Sequence, residues 1–319
     1  MRAYGYLALS WVAHYAQRCP VAYQLLKSYG VEVKSTEELT QDELERLLPE
    51  ADFAIAGLNI WDETLFKKMK KLRLLTKFGS GVDNIDLVAA RRFGVDVCNT
   101  RGGNANAVAE LAVGLMISVL RYIPQSNSEI HQGEWVKRTG SELRGKTLGL
   151  VGFGMIARRL AELLRAFNMR IIACDPWPDR GEAERLGVEL VTLQQLLQES
   201  DIISLHAPYT AETRGMIGAN ELAGMRDGAV LINCARAGLV DTPALAEALR
   251  SGKLAAAALD VFDEEPVSSS NPLIHMPNVI CTAHYGGSTF ESIYIDSMIS
   301  AQAIISVLRG EQPENLLNR

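Results

Sequence analysis

KTLGLVGFGMIARRLAELL, Lys146–Leu164, is the stretch that decides how this chain folds. Thr147–Val151 is a short apolar run that reads as a buried strand. The residues after Gly154 take up helical period, with Ile156, Leu160, Leu163, Leu164 and, just beyond, Phe167 on one face. Between strand and helix lies Gly152-Phe153-Gly154-Met155-Ile156-Ala157, a G-x-G-x-x-A turn. Gly152 lets the chain turn tightly, Gly154 lets backbone approach a pyrophosphate, and Ala157 permits close helix–strand contact. A helix starting there aims unpaired N–H groups and the positive end of its dipole at the phosphates.

Such a turn is a weak signal alone, but here its flanks are right. Asp175 closes the next strand, at the spacing a dinucleotide site requires. A carboxylate there accepts hydrogen bonds from the adenosine ribose hydroxyls and repels a 2′-phosphate, so the expected cofactor is NAD rather than NADP.

Outward from this unit, apolar runs alternate with helical-period segments along the whole chain. That is the pattern of α/β domains with doubly wound parallel sheets, here two of Rossmann or flavodoxin type. The first series has strands at Tyr4–Leu9, Val31–Val33, Phe53–Gly57, Leu72–Phe78 and Val95–Cys98, with helical segments such as Gln41–Leu48 and Leu65–Lys71 between them. Asn104–Leu120 is a helix with one wide apolar face, stopped by Pro124. The second series has strands at Thr147–Val151, Arg170–Cys174, Asp201–Leu205, Ala229–Asn233, Ala255–Leu259 and Asn278–Thr282. Ser288-Thr289-Phe290-Glu291 reads as a capping box opening a last helix through Ile295, Met298, Ile299, Ile305 and Leu308. That helix cannot extend a finished sheet, so it is expected to return to the first domain. The predicted division is a substrate-binding domain, 1–102 with 287–319, into which an NAD-binding domain, 103–286, is inserted.

Size and composition agree. The 319 residues suffice for two cores. A net charge of −6 with no basic run makes nucleic acid and anionic membrane poor partners. No apolar stretch reaches the ~20 residues of a membrane span. The N-terminus lacks a clean small-residue cleavage site and reads better as a first strand than as a signal peptide, so a cytoplasmic location is expected. Five cysteines form no CxxC pair; most end apolar runs, where a thiol is usually a small buried hydrophobe, and no metal is expected. Cys234 stands out only for its closeness to Arg236.

Three later residues carry chemistry: Arg236 in LINCARAGLVD, Glu265 in AAAALDVFDEEP and His284 in VICTAHYGGST, each at or soon after an apolar run. A guanidinium grips a planar carboxylate, an imidazole moves a proton, and an acid beside it supports its charged form. With a dinucleotide turn upstream, they point to hydride transfer on a small hydroxy acid. Glu265 shares its run with Asp263 and Glu264, and spacing alone does not choose among the three. His14, His131 and His275 sit in ordinary polar contexts, and His206, ending a strand, reads as pocket wall rather than catalyst.

The segments KFGSGVDNIDLVAA, NAVAELAVGLM, LRGKTLGLVGFG, SLHAPYTAETRGMI, INCARAGLVD, ALDVFDEEP and TAHYGGST, in this order, closely resemble the D-isomer-specific 2-hydroxyacid dehydrogenases, above all their phosphoglycerate dehydrogenase branch. The likeness covers nearly the whole chain. It implies Arg236 as carboxylate anchor, His284 as acid/base and Glu265 as its partner. It implies substrate-binding backbone at Ser80 and Gly81. It places Ser80, Gly152, Gly154, Met155, Ile156, Asp175, His206, Ala207, Pro208, Thr213, Cys234, Ala235, Asp260, Gly286 and Gly287 around NAD, and makes the 104–122 helix region a homodimer interface. The implied activity is interconversion of a (2R)-hydroxy acid and its 2-oxo acid, with 3-phosphoglycerate oxidation as the specific alternative. An NAD-sensing protein like the C-terminal-binding corepressors is the alternative outside enzymes. Formate dehydrogenases carry glutamine in place of Glu265, which speaks against that reading. Some departures stand out: Ala237 follows the arginine where glycine is common, Ala283 and Tyr285 flank the histidine, and Arg101 replaces a frequent proline. The loop Gly57–Trp61 has no arginine, where some phosphoglycerate enzymes hold phosphate, so a small unphosphorylated acid is expected. Arg101 and Lys77 are the cations that could replace that contact.

Overall fold

The computed structural model describes residues 5–318. The chain forms two compact units, Met1–Asn104 with Gly287–Arg319 as unit 1 and Ala105–Gly286 as unit 2. The expected division ran two residues earlier at the first crossing. A turn closed by Gly103 N–H donating to Thr100 O keeps Thr100–Gly103 with unit 1, and the next helix starts at Ala105.

Unit 1 has five parallel strands: β1 Tyr6–Ser10, β2 Val31–Ser35, β3 Phe53–Ala56, β4 Leu74–Lys77 and β5 Asp96–Asn99. They lie in the order β2-β1-β3-β4-β5. Parallel strands need crossover connections, which here bury both faces of the sheet and explain why β3 and β4 are buried without alternation. Tyr4, the expected start of β1, lies outside the described residues. One face is closed by the last helix, Phe290–Leu308, whose Ala301, Ile304 and Ile305 join Phe53, Ile55 and Leu74 in a buried cluster.

Unit 2 has seven parallel strands: β6 Thr147–Val151, β7 Arg170–Cys174, β8 Glu189–Leu190, β9 Ile202–Leu205, β10 Ala229–Asn233, β11 Leu254–Leu259 and β12 Val279–Cys281. Their order is β12-β11-β10-β9-β6-β7-β8. The connection reverses direction at β6, between β7 and β9, and the phosphate turn follows that strand, where open sheets of this type bind ligands. At Gly149, in the middle of β6, a Cβ would lie 2.3 Å from Ser200 Oγ and 2.5 Å from Leu196 Cδ2, so the sheet and the helix Leu193–Glu199 meet through a missing side chain.

Three expectations need correction. β8 escaped notice because two residues carry no period. Pro124 does more than end a helix: Ala105–Arg121 stops, Tyr122 turns left-handed at φ 55°, and Pro124 sits in the first turn of a new helix, Ile123–His131. Proline is tolerated there because a first-turn N–H has no intrahelical partner. The capping box lies one residue later than read, with Thr289 Oγ1 accepting from Ser292 N–H at 3.1 Å. Among the described residues no single helix is long and apolar enough to cross a membrane.

Because the space around Gly149 is full, Gly149→Ala should destabilise the protein by about 1–3 kcal/mol, the cost of overpacking a filled interior. Gly224, at the end of the helix Ala219–Gly224, has nothing within 4 Å of an added Cβ. Gly224→Ala should therefore be neutral or stabilise by up to about 1 kcal/mol through the unfolded chain. Urea unfolding of both variants checks the contrast, and equal effects would show that the packing at β6 has been misread.

Candidate active site

The phosphate turn follows β6. Gly152 has φ 94°, and a Cβ there would lie 2.8 Å from Ala207 N and from the His206 carbonyl carbon. Both facts demand glycine. At Gly154 an added Cβ would meet nothing within 4 Å, so the backbone is bare toward solvent. The helix Met155–Leu163 opens directly after it with no side-chain cap, which leaves its first N–H groups available to an anion. Arg158, which the sequence reading passed over, steadies the turn: its Nε donates to Phe153 O at 3.0 Å.

Asp175 sits at the end of β7, where its Oδ2 accepts from Phe153 N–H and its Oδ1 from Trp177 N–H, each at 2.8 Å. The carboxylate is thereby fixed beside the turn, and each oxygen keeps a lone pair for a ribose hydroxyl. The neighbouring Trp177 is 88% exposed, an unforeseen apolar surface at the same spot. Past β9, Ala207 and Pro208 start a loop closed by Thr213, whose Oγ1 donates to Pro208 O at 2.7 Å. His206 Nε2 lies 2.9 Å from Ser204 Oγ, and burial pushes its pKa down to about 4, so the ring is neutral near pH 7.

Arg236, Asp260 and His284 follow three adjacent strands, β10, β11 and β12. Asn233 shapes the first of these turns: its Nδ2 donates to Arg236 O at 2.9 Å and its Oδ1 accepts from Ala235 N–H at 3.0 Å. Arg236 is half-buried, and its Nη1 donates to Ala235 O at 2.7 Å. Beside it, burial and then the charge of Asp260 push the Cys234 thiol up to about 12, which disfavours the thiolate.

Asp260 is buried and organises the third turn. Its Oδ1 accepts from Thr282 Oγ1 at 2.5 Å and from Tyr285 N–H at 3.1 Å, and its Oδ2 accepts from Gly286 N–H at 2.9 Å. Its carbonyl accepts from His284 N–H at 2.8 Å. Expected in the cofactor wall, Asp260 thus turns both oxygens onto its own chain. His284 is held at φ 49°, a conformation few residues with a Cβ adopt, and its Nδ1 lies 2.6 Å from Glu265 Oε2. The other oxygen, Oε1, accepts from Phe262 N–H at 3.1 Å. The geometry therefore selects among three acids that spacing left equal. Asp263 is engaged elsewhere, accepting from Thr242 Oγ1 at 2.6 Å. His284 and Glu265 side chains keep 27% and 30% exposure, so Nε2 chemistry with a small molecule is open to them.

Ser80, Gly81 and Gly287 belong to unit 1. Ser80 and Gly81 form the loop after β4, where Ser80 O accepts from Asn99 Nδ2 at 2.8 Å. Gly287 packs against Asn104, with 3.1 Å between an added Cβ and Asn104 Nδ2. Lys77, one of the two cations considered for a phosphate, is turned inward and 4% exposed. A separate cavity of about 380 Å³ in unit 2, lined by Val119, Tyr122, Arg138, Lys146, Val230 and Ile280, lies at the amino ends of the strands, opposite these turns.

Residues 113–286 match the family model for the D-isomer specific 2-hydroxyacid dehydrogenase NAD binding domain. The chain belongs to this family. It is 42% identical over 302 residues to a D-3-phosphoglycerate dehydrogenase of Methanocaldococcus jannaschii, covering 93% of this chain and 57% of that one. The chain thus spans little more than half of that relative. It is 39% identical over 313 residues to a glyoxylate reductase of Aeropyrum pernix, covering 94% and 93% of the two chains. The solved TT0316 protein of Thermus thermophilus superposes with a TM-score of 0.88 at 32% identity, covering 98% and 99%. NAD is the family's cofactor, and the bare Gly154 backbone, the uncapped helix start and the fixed Asp175 carboxylate fit it.

Asp175 should make the protein bind NADH at least about tenfold more tightly than NADPH, a modest like-charge penalty for a 2′-phosphate. Asp175→Ala should bring the two Kd values to within about threefold by removing that penalty. Fluorescence titration measures both without any turnover, and equal Kd values in the parent would sink this reading of Asp175.

Proposed function

We propose that this chain is an NAD-dependent D-2-hydroxyacid dehydrogenase that interconverts a small, unphosphorylated (2R)-hydroxy acid and its 2-oxo acid. The observation that carries the reading is the 2.6 Å contact of His284 Nδ1 with Glu265 Oε2, made at the carboxyl ends of the strands that follow the NAD turn. NAD, when bound, supplies the hydride acceptor and, reduced, the donor. Gly152, Gly154, the first turn of Met155–Leu163 and Asp175 would hold it.

The chain's own residues do the rest. The Glu265 carboxylate fixes the ring and its tautomer: with Nδ1–H donated to Glu265, Nε2 is the atom that takes the proton of a substrate hydroxyl or returns it to a carbonyl oxygen. Glu265 also supports the positive charge that the imidazole carries before it protonates a 2-oxo acid. Arg236 pairs with the substrate carboxylate through its planar fork and so orients C2. Ser80 and Gly81 add backbone N–H groups, as the resemblance implies.

Substrate size follows from the loop after β3. Leu58 and Ile60 are 68% and 74% exposed there, and no cation stands among Gly57–Trp61. An aliphatic rim desolvates a phosphate without pairing it, which disfavours a phosphorylated acid. The full-length match to a glyoxylate reductase supports the same choice. We propose further that the protein works in the cytoplasm, where its five free cysteines stay reduced. We also propose that it is a homodimer through the 104–122 region. The exposed Tyr122, Ile123, Ile130 and Trp135 next to that region supply the apolar surface such an interface buries.

His284→Ala should lower kcat by about 10²–10⁴, the usual worth of a positioned acid/base, while the Kd for NADH stays within about twofold. Arg236→Lys keeps the charge and loses the bidentate fork, so KM for the oxo acid should rise about tenfold or more as kcat falls. Unchanged turnover in His284→Ala would refute the assignment. With NADH and a panel of hydroxypyruvate, glyoxylate, pyruvate and phosphohydroxypyruvate, one of the first two should be used at least as well as the phosphorylated acid. Exclusive use of phosphohydroxypyruvate would overturn the substrate reading and direct attention to Arg101. NADH binding with no turnover on any acid would favour a sensor.

A further inference from the structure

We propose that Lys77 and Asp296 are positioning residues, a buried pair of opposite charges behind the loops Gly57–Trp61 and Gly79–Gly81 that sets the direction of the backbone groups offered to substrate. The proposal rests on the reading that Ser80 and Gly81 bind the substrate. Both charges belong to unit 1, Lys77 at the end of β4 and Asp296 on the helix Phe290–Leu308, and they are 4% and 3% exposed.

Each charge reaches one loop. Lys77 Nζ donates to Gly57 O at 2.5 Å, where Asn84 Nδ2 also donates at 3.2 Å while bonding Asn59 O at 2.6 Å. Asp296 reaches the other loop through Thr100. Asp296 lies against the turn that Thr100 opens, since a Cβ on Gly103 would meet its Oδ1 at 1.9 Å and Thr100 O at 3.3 Å, and the nearby Thr100 hydroxyl favours its ionised form. The Thr100 oxygen takes the Gly79 N–H at 2.7 Å. Thr100 N–H in turn donates to Lys77 O at 3.1 Å and Gly79 O at 3.2 Å. The Gly79 N–H can only donate, so Thr100 Oγ1 must accept from the loop, and the hydroxyl hydrogen is left for the carboxylate behind it. Gly79 is held at φ 108°, and Asn99 grips Ser80 O just beyond it, so the peptide planes leading to the Ser80 and Gly81 N–H groups are fixed from both sides.

The arrangement is costly. Taking charges out of water is expensive, and buried charges are often replaceable by apolar residues of similar volume with no loss of stability. Asp296 also dictates its neighbours, since a Cβ on Gly103 would lie 1.9 Å from its Oδ1. A charge that expensive, aimed at a hydroxyl holding a substrate loop, is explained by position rather than by stability.

It also has a pH signature. Burial raises the Asp296 pKa to about 6, against the lowering effects of the Thr100 hydrogen bond and the Lys77 charge. Among the described residues Cys19, beside the helix Pro20–Ser28, also feels the Asp296 charge, and burial pushes its own thiol upward. Above about pH 6 the ionised form that orders Thr100 is present. As pH falls through that value the carboxyl protonates, its hold on the Thr100 hydroxyl weakens, and KM should rise.

The test uses the full chain carrying Thr100→Val, Thr100→Ser, Asp296→Asn or Lys77→Met, with hydroxypyruvate and NADH as probes and amide exchange at Gly79 as a readout independent of turnover. Thr100→Val and Asp296→Asn should speed Gly79 exchange and raise KM roughly 3- to 10-fold, the worth of about one hydrogen bond, with kcat and the NADH Kd nearly unchanged. Lys77→Met should raise KM in the same range, and Thr100→Ser should restore parental exchange and KM. Asp296→Asn should also lose the rise in KM below pH 6 that the parent shows. Unchanged Gly79 exchange in both Thr100→Val and Asp296→Asn overturns the positioning role. Faster exchange with unchanged KM overturns the link to substrate, and with it the part given to Ser80 and Gly81. A parent that reduces no 2-oxo acid marks failure of the proposed function, and Gly79 exchange then decides the positioning role alone.

Discussion

A buried carboxylate with three donors holds the turn that carries His284 in place. Asp260 accepts from Thr282, Tyr285 and Gly286, and its carbonyl takes the His284 N–H. Hydrogen bonds to a charged group contribute about 1.5–3 kcal/mol each, and leaving such a charge unpaired in the interior would cost more. The segment after β12 therefore has little freedom. Its backbone is pulled into a left-handed turn at His284, and the imidazole meets Glu265. Without that clamp the same histidine would sit on a loop after a three-residue edge strand, free to rotate away from its partner.

Both units apply one rule at different scales. Parallel strands bury their backbones and gather their carboxyl ends along one edge, where the following turns present N–H groups and short polar side chains. In unit 2 that edge carries the phosphate turn, Asp175, Arg236 and His284; in unit 1 it carries the loops after β3 and β4. The stiffness comes from unremarkable residues. Asn233 and Asn99 each tie a loop to a strand end, and Asn84 and Thr100 tie one loop to the next, through side-chain bonds with backbone. Such bonds replace the ladder where the sheet stops.

The parts legible in the sequence were those with a local period or a forced backbone. Apolar runs marked eleven of the twelve strands to within a few residues, and the missed one, Glu189–Leu190, is too short to have a pattern. Gly152 was legible because positive φ and close approach both exclude a side chain there. What stayed hidden depends on contacts distant in sequence. Glu265 could not be told from Asp263 and Glu264 until the chain turned back at His284. Asp260 looked like one more strand-end acid, and the inward turn of Lys77 follows its bond to Gly57 O on the neighbouring strand's loop. Pro124 was read as a stop because a proline that ends one helix and one that begins another leave the same mark.

The insertion of one unit into the other bears on how the protein is made. β1–β5 leave the ribosome before unit 2, yet one face of their sheet is covered by Ala301, Ile304 and Ile305, which are synthesised after it. Unit 2 is continuous in sequence and can close its core while it is still being extended. Unit 1 must wait with an open apolar face through the whole synthesis of unit 2, and its final contacts span nearly the full chain. In a growing polypeptide it is these early, half-covered strands that most need protection from other chains.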